Sequence, residues 1–355
     1  ANRAQLAWSS RVMVVLDDAS LDALRTPTVS EGGHVPPAEP LEPIEKILRT
    51  DERCFASIPK KIFPYEPNYI NTEVHGNVRI HYLDEGKKSS KETILCMHGE
   101  PSWCFLYRKM IPGLVQAGYR VVCPDLPGFG KSDKPSKQTD YSYERMVNWM
   151  SEFVVKMRLG NVTLFAQDWG GLIGLRVAAR LPERFVRICI SNTGLPVGTG
   201  GTKSFMNWAY KTSQKFPTWG AVFKLTCRVP LSKEELAAYD APFPSEAYKG
   251  ATRVFPKMVP VTKGHASVEE NKGALRRVYS RWRKPFLTLF GDRDPITRDG
   301  EKGWQRLVPG AKGQKHVKIK GGGHFIQEDR PQELVKHIIA FVNDNPLPAK
   351  LRARL

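Results

Sequence analysis

The chain has 355 residues, 41% of them hydrophobic, and a formal net charge of +18 at pH 7. Its length allows a full buried core in one large or two modest domains, and the absence of an apolar run of about 18 residues argues against a membrane-spanning helix. Because the excess of Lys and Arg includes no arginine-rich block, no specific nucleic-acid binding is expected, and nonspecific binding of polyanions stays an alternative.

Six cysteines are scattered along the chain, and none of them forms a Cys-x-x-Cys pair. Several lie inside apolar runs, such as Cys96 between Leu95 and Met97. This pattern is typical of buried free thiols in a reducing compartment. It predicts a cytoplasmic protein rather than one with disulfides or a structural zinc site.

Residues 1–44 differ in composition from the rest of the chain. The stretch from Arg25 to Pro37 is rich in Pro, Gly and Ser, and the apolar run at 12–16 is too short for a secretory signal. We therefore expect residues 1–44 to form a flexible extension outside the folded core.

Predicted strands alternate with predicted helices from about residue 69 onward. The strands are expected at 78–82, 93–97, 119–123, 162–166 and 186–191. The clearest helix covers 143–159, where apolar residues recur on one face and Gly160 follows as a stop signal. Alternation of this kind predicts a mainly parallel sheet with helices on both faces.

The alternation breaks after Ser191. The segment that follows is helical in tendency, rich in aromatic residues, and carries 16 basic against 6 acidic residues between 197 and 284. Strands are expected again at 285–290 and 316–319, followed by a helix at 331–341. The simplest architecture is a main domain of residues 45–194 and 284–355 with a helical cap inserted at 195–283.

A carboxylate stands where a serine hydrolase would place its nucleophile. The segment Ala166-Gln167-Asp168-Trp169-Gly170 follows an apolar strand, leads into a helical pattern, and has the small-x-nucleophile-x-small form of a nucleophile elbow. Small flanking residues are needed because two backbone segments nearly touch there. An aspartate is ionised at neutral pH without help from a base, so Asp168 is predicted to displace a leaving group from saturated carbon and become an ester.

A nucleophile at position 168 predicts a carboxylate after the next-to-last strand and a histidine after the last strand. Both are present in that order. Asp294 follows the strand at 285–290 and is the predicted orienting acid, with Asp292 as the rival. His324 follows three glycines after the last strand and is the predicted general base.

The turn His98-Gly99-Glu100-Pro101 follows the strand that ends at Met97. At this location it can supply the backbone N–H of Glu100, which would pair with the backbone N–H of Trp169 as an oxyanion hole. His98 is expected to be structural. The motif uses the backbone of Glu100, so its carboxyl group is not expected to act as an acid catalyst.

These motifs resemble those of the haloalkane dehalogenases in the α/β-hydrolase superfamily. The likeness extends from about Ile47 to Val342 and includes HGEPSWCFLYRKM at 98–110, DLPGFGKSDKP at 125–135, AQDWGG at 166–171 and APFPSEAYKGATRVFPKMV at 241–259. It implies an α/β-hydrolase fold, in which a mostly parallel eight-stranded sheet is flanked by helices and carries an inserted helical cap.

The resemblance also implies a reaction. Small halogenated aliphatic substrates would be hydrolysed to a primary alcohol, halide and a proton through a covalent ester on Asp168, which water activated by His324 then hydrolyses. Some relatives keep the orienting acid just after Ser191, and this chain has the neutral Asn192 there, which favours Asp294. Neither a metal nor an organic cofactor is expected, and a monomer without nucleic-acid or membrane partners is predicted.

Members of this family hold the departing halide with two indole N–H groups, one beside the nucleophile and one in the cap. Trp169 matches the first, and Trp208 best matches the second, with Phe205 as a wall of the halide pocket. Trp103 and Trp219 are the fallback candidates for the cap indole. Indole suits this role because it is a hydrogen-bond donor without a competing acceptor, set in an apolar ring.

Two other functions stay open at this point. An epoxide hydrolase could use the same three residues, with acidic hydroxyls from the cap tyrosines Tyr210, Tyr239, Tyr248 and Tyr279. A non-hydrolytic small-molecule receptor of the same fold is the other alternative, although an intact set of catalytic residues argues against it.

Overall fold

A computed structural model describes residues 42–213 and 218–347 of the chain. Nearly all of the predicted extension at 1–44 lies outside these residues. No helix within the described ranges has both the length and the apolar character needed to cross a membrane.

The described chain contains ten strands and eleven α-helices. The strands are β1 (Ile47–Leu48), β2 (Asn68–Asn71), β3 (Arg79–Glu85), β4 (Thr93–Met97), β5 (Arg120–Pro124), β6 (Lys134–Pro135), β7 (Val162–Gln167), β8 (Phe185–Ser191), β9 (Phe286–Gly291) and β10 (Val317–Ile319). The helices are α1 (Ile111–Gln116), α2 (Tyr143–Lys156), α3 (Trp169–Arg180), α4 (Lys203–Ser213), α5 (Trp219–Thr226), α6 (Lys233–Asp240), α7 (Gly250–Met258), α8 (Val268–Arg277), α9 (Glu301–Leu307), α10 (Ile326–Asp329) and α11 (Pro331–Asp344).

Eight of these strands form one sheet in the order β10-β9-β8-β7-β4-β5-β3-β2. The pairs β2–β3 and β3–β5 are antiparallel, and every other pair in the sheet is parallel. The expected mostly parallel eight-stranded sheet is therefore confirmed. The edge strand β2 and the small ladder of β1 with β6 were not predicted from the sequence.

The central strands are buried along their whole length, as β4, β7 and β9 show. Burial on both faces is what parallel strands covered by helices on each side require. Because β4, β7, β9 and β10 run in the same direction, their carboxyl ends lie at one edge of the sheet, where the connecting loops can converge on a single site.

Helices α4 to α8 lie between β8 and β9 in the chain, inside the segment predicted as a cap. Thr199 and Thr262 form an isolated antiparallel bridge within this segment. Apolar side chains of the segment, such as Phe223 and Phe255, belong to the same hydrophobic core as the sheet.

Candidate active site

The turn between β7 and α3 holds Asp168 in a strained conformation, with φ of 52° and ψ of −131°. Two close approaches require glycine nearby, because a Cβ on Gly170 would lie 2.0 Å from the carbonyl oxygen of Met97, and one on Gly171 would lie 2.1 Å from Thr193 Oγ1. The Thr193 hydroxyl donates to the backbone carbonyl of Asp168 at 2.7 Å. This turn has the geometry of a nucleophile elbow, in which the surrounding structure enforces a positive φ.

The loops after β9 and β10 bring a carboxylate and an imidazole to this turn. Nδ1 of His324 lies 3.1 Å from both carboxylate oxygens of Asp294, and its Nε2 lies 3.4 Å from Oδ2 of Asp168. Asp294 is fully buried, and it accepts backbone N–H groups from Ile296 at 2.8 Å and Thr297 at 3.2 Å. The result is a continuous chain from Asp294 through the imidazole to Asp168.

Asp292, the rival for the orienting acid, has a different role. Its Oδ1 accepts the backbone N–H of Gly321 at 2.7 Å, so it fixes the loop that precedes His324. The structure brings Asp294 to the imidazole and leaves Asp292 beside the loop backbone.

The two carboxylates control the charge of the imidazole. Burial alone would lower the pKa of His324, but the charge of Asp294 and the hydrogen bonds with Asp168 and Asp294 raise it to about 10. Burial also opposes ionisation of Asp294, yet the nearby imidazole and the donors from Thr297 and Ile296 keep the pKa of that carboxyl below its usual value. In the free protein His324 is therefore a cation between two anions at neutral pH.

One oxygen of the nucleophile is held by the backbone of the turn after β4. The N–H of Glu100 donates to Oδ1 of Asp168 at 2.8 Å. Gly99 permits this contact, since a Cβ there would lie 2.2 Å from the same oxygen. Trp169 is the first residue of α3, and the N–H groups of a first helical turn have no partner within their own helix. Of the two predicted oxyanion donors, the N–H of Glu100 contacts the carboxylate of Asp168, and that of Trp169 belongs to the next residue in the chain.

The imidazole of His98 is hydrogen-bonded to the backbone around the turn after β4. Its Nδ1 lies 2.9 Å from the carbonyl oxygen of Gly99, and its Nε2 accepts the N–H of Leu126 at 2.9 Å. This agrees with the structural role expected for it.

A cavity of about 260 Å³ opens above Asp168 and His324. Its walls are largely apolar and include Leu172, Val222, Pro256, Val259, Ile296 and Phe325. Trp169, Phe205 and Trp208 line it as well, so the structure brings together the three residues predicted to bind halide. The fallback indoles do not line the cavity, and Trp103 donates its indole N–H to the backbone of Ala238 at 3.0 Å.

The carboxyl group of Glu100 is a feature that the sequence reasoning missed. It is 3% exposed, lines the cavity, and accepts the indole N–H of Trp208 on Oε2 at 3.1 Å. Burial and the nearby charge of Asp168 raise its pKa well above the usual value. This carboxyl group, whose ionisation is disfavoured, thus links the cap indole to the turn that holds the nucleophile. The signal available in the sequence was an ionisable residue placed directly in the oxyanion turn.

Two amides that position His324 were also missed. Asn192 donates to the carbonyl oxygens of Gly323 at 2.8 Å and His324 at 3.0 Å, and it accepts the N–H of Gly291 at 2.9 Å. Gln167 donates to the carbonyl oxygen of His324 at 3.1 Å. Both residues end or follow buried strands at the active edge of the sheet, which was the only signal of their role.

A group of possible metal ligands lies elsewhere in the described chain. Nδ1 of His81 is 2.7 Å from Asp125 Oδ2 and 4.0 Å from Cys104 Sγ, and all three residues are buried. The carboxylate also accepts the backbone N–H groups of Cys104 and Lys131 at 2.7 and 2.8 Å. These hydrogen bonds account for the group as a structural element of the core.

Comparison with known proteins agrees with this geometry. Residues 92–331 match the family model of the alpha/beta hydrolase fold. A haloalkane dehalogenase from Psychrobacter cryohalolentis is 46% identical over 306 residues, which are 85% of this chain and 99% of that protein. One from Mycolicibacterium paratuberculosis is 40% identical over 299 residues, which are 83% of this chain and 98% of that protein.

A solved structure gives the same result. The tetrameric haloalkane dehalogenase DpaA from Paraglaciecola agarilytica NO2 superposes with a TM-score of 0.75 and 32% sequence identity, covering 84% of this chain and 97% of that one. The sheet topology, the elbow with its aspartate, and these relatives all lead to the same assignment. The chain belongs to the haloalkane dehalogenases of the α/β-hydrolase fold.

Proposed function

We propose that this protein hydrolyses carbon–halogen bonds of small halogenated aliphatic molecules to an alcohol, halide and a proton. The observation that carries the proposal is the elbow carboxylate of Asp168, which lies at an apolar cavity between a backbone donor and an imidazole. A carboxylate in this position attacks saturated carbon directly and needs no base for that step.

In the first step Asp168 displaces the halide. Because Oδ1 accepts the N–H of Glu100, Oδ2 is the oxygen that attacks the carbon. The new carbon–oxygen bond forms as the carbon–halogen bond breaks, and the halide leaves with the bonding electrons. Trp169 and Trp208 line the cavity and donate their indole N–H groups to the departing anion, with Phe205 excluding water. For Trp208 this means that the halide competes with Oε2 of Glu100, which accepts the same N–H in the free protein.

In the second step water hydrolyses the ester. Alkylation removes the negative charge of Asp168, which is one of the causes that raise the pKa of His324 in the free protein. The neutral imidazole, oriented by Asp294, takes a proton from water through Nε2 while the water oxygen attacks the carboxyl carbon of Asp168. The N–H groups of Glu100 and Trp169 stabilise the oxyanion, the alcohol leaves, and the proton passes to solvent.

The epoxide hydrolase alternative needs a tyrosine hydroxyl at the cavity, and none of the described residues that line the cavity is a tyrosine. Tyr239 donates to Glu328, Tyr279 donates to the carbonyl oxygen of Leu175 at 2.6 Å, and Tyr210 is 70% exposed. These contacts favour the dehalogenase over the epoxide hydrolase.

The test is halide release and acid production from 1,2-dibromoethane and 1-bromobutane, measured beside styrene oxide with Asp168→Ala as the control. Halide release that the control abolishes is the expected result. A single turnover in water labelled with heavy oxygen should place the label in the carboxylate of Asp168 and leave the alcohol unlabelled. Epoxide opening without halide release would support the epoxide hydrolase, and inactivity on both substrates would support the receptor.

We infer further that residues 195–283 act as a cap on a main domain of 45–194 and 284–355. Phe205 and Trp208 come from that segment, whereas Asp168, Asp294 and His324 come from the sheet, and this division supports the inference.

A cytoplasmic monomer is the proposed working form of the protein. The six cysteines are all free, which is typical of a reducing compartment. The relative DpaA is tetrameric. Light scattering behind size-exclusion chromatography distinguishes the two states, and a mass of four chains would overturn the monomer.

A further inference from the structure

One charged side chain that the reaction does not use also lines the cavity. Within the described part of the chain, four ionisable residues line this space: Glu100, Asp168, Arg228 and His324. Glu100, Asp168 and His324 belong to the catalytic arrangement described above. Arg228 follows α5 in the cap, close to Leu225, which lines the cavity and is 77% exposed. The end of α5 therefore marks the side on which the cavity meets solvent, and Arg228 lies on that rim.

The backbone and the stem of Arg228 are held firmly. Its N–H donates to Oδ1 of Asp329 at 2.6 Å. A Cβ on Gly323 would lie 3.2 Å from both Cγ and Nε of Arg228, so the side chain lies across the residue that precedes His324. The rim arginine is thus fixed to the same loop that carries the general base.

Most N–H donors of the Arg228 guanidinium have no hydrogen-bond acceptor among the described residues. Its Nη2 donates to the carbonyl oxygen of Arg293 at 3.2 Å, and within residues 42–213 and 218–347 it forms no ion pair. A guanidinium has five N–H donors in a planar fork, and that fork matches the two oxygens of a carboxylate. An anion at the rim would therefore meet a preformed partner.

We propose that Arg228 binds a carboxylate at the far end of the substrate, so that the enzyme takes ω-haloalkanoates, with halogen at one end and a carboxylate at the other. This inference rests on the proposed function. The halogen would lie between Trp169 and Trp208, the methylene chain would contact the apolar walls, and the carboxylate would stay at the wet rim beside Arg228.

The charge of the surroundings favours such a substrate. The sequence from 197 to 284, which includes Arg228, has 16 basic and 6 acidic residues. A positive field raises the local concentration of anionic substrates and their rate of association. Asp329 interacts with the charge of Arg228, but it is buried, and its carboxylate already accepts the backbone N–H groups of Arg228 and Gly323.

The experiment compares substrates that differ only at the far end. Values of kcat/KM are measured for 1-bromobutane, 1-bromohexane and 1-bromooctane and for the corresponding ω-bromoalkanoates, with 6-bromohexan-1-ol as a polar uncharged probe. At each chain length, the value of kcat/KM for the ω-bromoalkanoate is divided by the value for the 1-bromoalkane. A general loss of activity lowers both values equally and therefore leaves this ratio of acid to alkane unchanged. The proteins are the wild type, Arg228→Met, Arg228→Lys and Lys312→Met, the last of which removes a positive charge from the opposite end of β10.

The wild type is expected to prefer the acid at one chain length. Arg228→Met should lower that ratio about tenfold. The change should appear as a higher KM for the acid with kcat unchanged, because the lost contact binds the substrate and the transition state equally. Arg228→Lys should keep part of the preference for the acid. Lys312→Met should leave the ratio of acid to alkane unchanged. The value of kcat/KM for 6-bromohexan-1-ol should not fall comparably in Arg228→Met. Equal ratios in the wild type and Arg228→Met would overturn the proposal. Absence of halide release from every bromoalkane would instead overturn the proposed function itself.

Discussion

The two sides of the active site are held by different kinds of contact. On the sheet side, Asp168 and Asp294 are fixed by backbone N–H groups, from Glu100 to one and from Ile296 and Thr297 to the other. On the cap side, Trp208 is fixed by a side-chain hydrogen bond to the carboxyl group of Glu100 and by aromatic neighbours such as Trp219. The sheet side is therefore rigid through its main chain, whereas the cap side depends on side chains.

This difference predicts how each side responds to substitution. Backbone donors remain when a neighbouring side chain changes, so variants on the sheet side should lose only the chemistry of the group removed. Variants on the cap side should alter halide affinity and substrate preference by smaller factors, because several packed side chains share that work.

The largest effect is expected for His324→Phe. Asp168 can still attack, so each enzyme molecule should release about one halide and then stop as the alkyl ester, with steady turnover reduced at least about 1000-fold. Rapid-quench measurement of halide checks the burst, and intact mass spectrometry checks the added alkyl group.

Two further variants serve as controls for the burst and for steady turnover. Asp168→Ala should show no burst, and His337→Phe, on the remote helix α11, should keep normal turnover. Continued turnover by His324→Phe would mean that another group activates water, and the assigned order of steps would be wrong.

A smaller loss is expected for Asp294→Asn. The buried carboxylate accepts from His324 and stabilises its charged form, so an amide there should slow ester hydrolysis about 100- to 1000-fold. Asp292→Asn is the matched control, because Asp292 accepts a backbone N–H and not the imidazole of His324. This variant should slow ester hydrolysis less than about tenfold. Equal losses in the two variants would contradict the choice of Asp294, and pre-steady-state halide release separates the two steps.

The sequence predicted the sheet side better than the cap side for a physical reason. Strand, elbow and loop signals are local, and parallel strands bring their carboxyl ends to one edge. Asp168 and His324 could therefore be named from their order in the chain, and the orienting acid could be reduced to Asp294 or its rival Asp292. The contact between Glu100 and Trp208 joins positions 108 residues apart, and no local pattern encodes it. The same holds for the amides of Gln167 and Asn192, whose partners lie on a loop more than 130 residues further along.

The pH dependence of the two steps should also differ. The pKa of His324 is raised to about 10 by two carboxylates, and alkylation neutralises one of them, so the pKa in the ester form should lie below 10. Ester hydrolysis needs the neutral imidazole, and below that pKa its rate should fall about tenfold per pH unit. Alkylation involves no proton transfer, so its rate should not depend on pH. Single-turnover kinetics from pH 6 to 10 measures both, and a level hydrolysis step would contradict the role of His324.

On the cap side, Trp208→Phe should weaken halide binding about 10- to 100-fold. A hydrogen bond to a charged group contributes about 1.5–3 kcal/mol, and phenylalanine keeps the apolar wall but lacks the N–H donor. Trp219→Phe is the control, since its ring lies 6.4 Å from that of Trp208 and does not line the cavity. Bromide titration followed by tryptophan fluorescence gives the affinities. A larger loss in Trp219→Phe would exchange the roles of the two indoles.

The smallest and most specific effect concerns the carboxyl group of Glu100, where the two sides meet. Burial and the charge of Asp168 raise its pKa well above the usual value, which disfavours its ionised form, and its Oε2 accepts the N–H of Trp208. A rise in pH that ionises it adds a negative charge to the cavity wall and strengthens its hold on that N–H, so both effects weaken halide binding.

Glu100→Gln isolates this contribution, because it keeps the backbone N–H and a neutral acceptor at every pH. Loss of charge from His324 also weakens halide binding as the pH rises, and it does so in both proteins. As the pH is raised from neutral into the alkaline range, the halide affinity of the wild type should therefore fall about threefold more than that of Glu100→Gln. Bromide titrations of the two proteins across this range measure the difference. Parallel profiles would mean that Glu100 only orients Trp208, and the cap side would then be tied to the sheet by geometry without any link to charge.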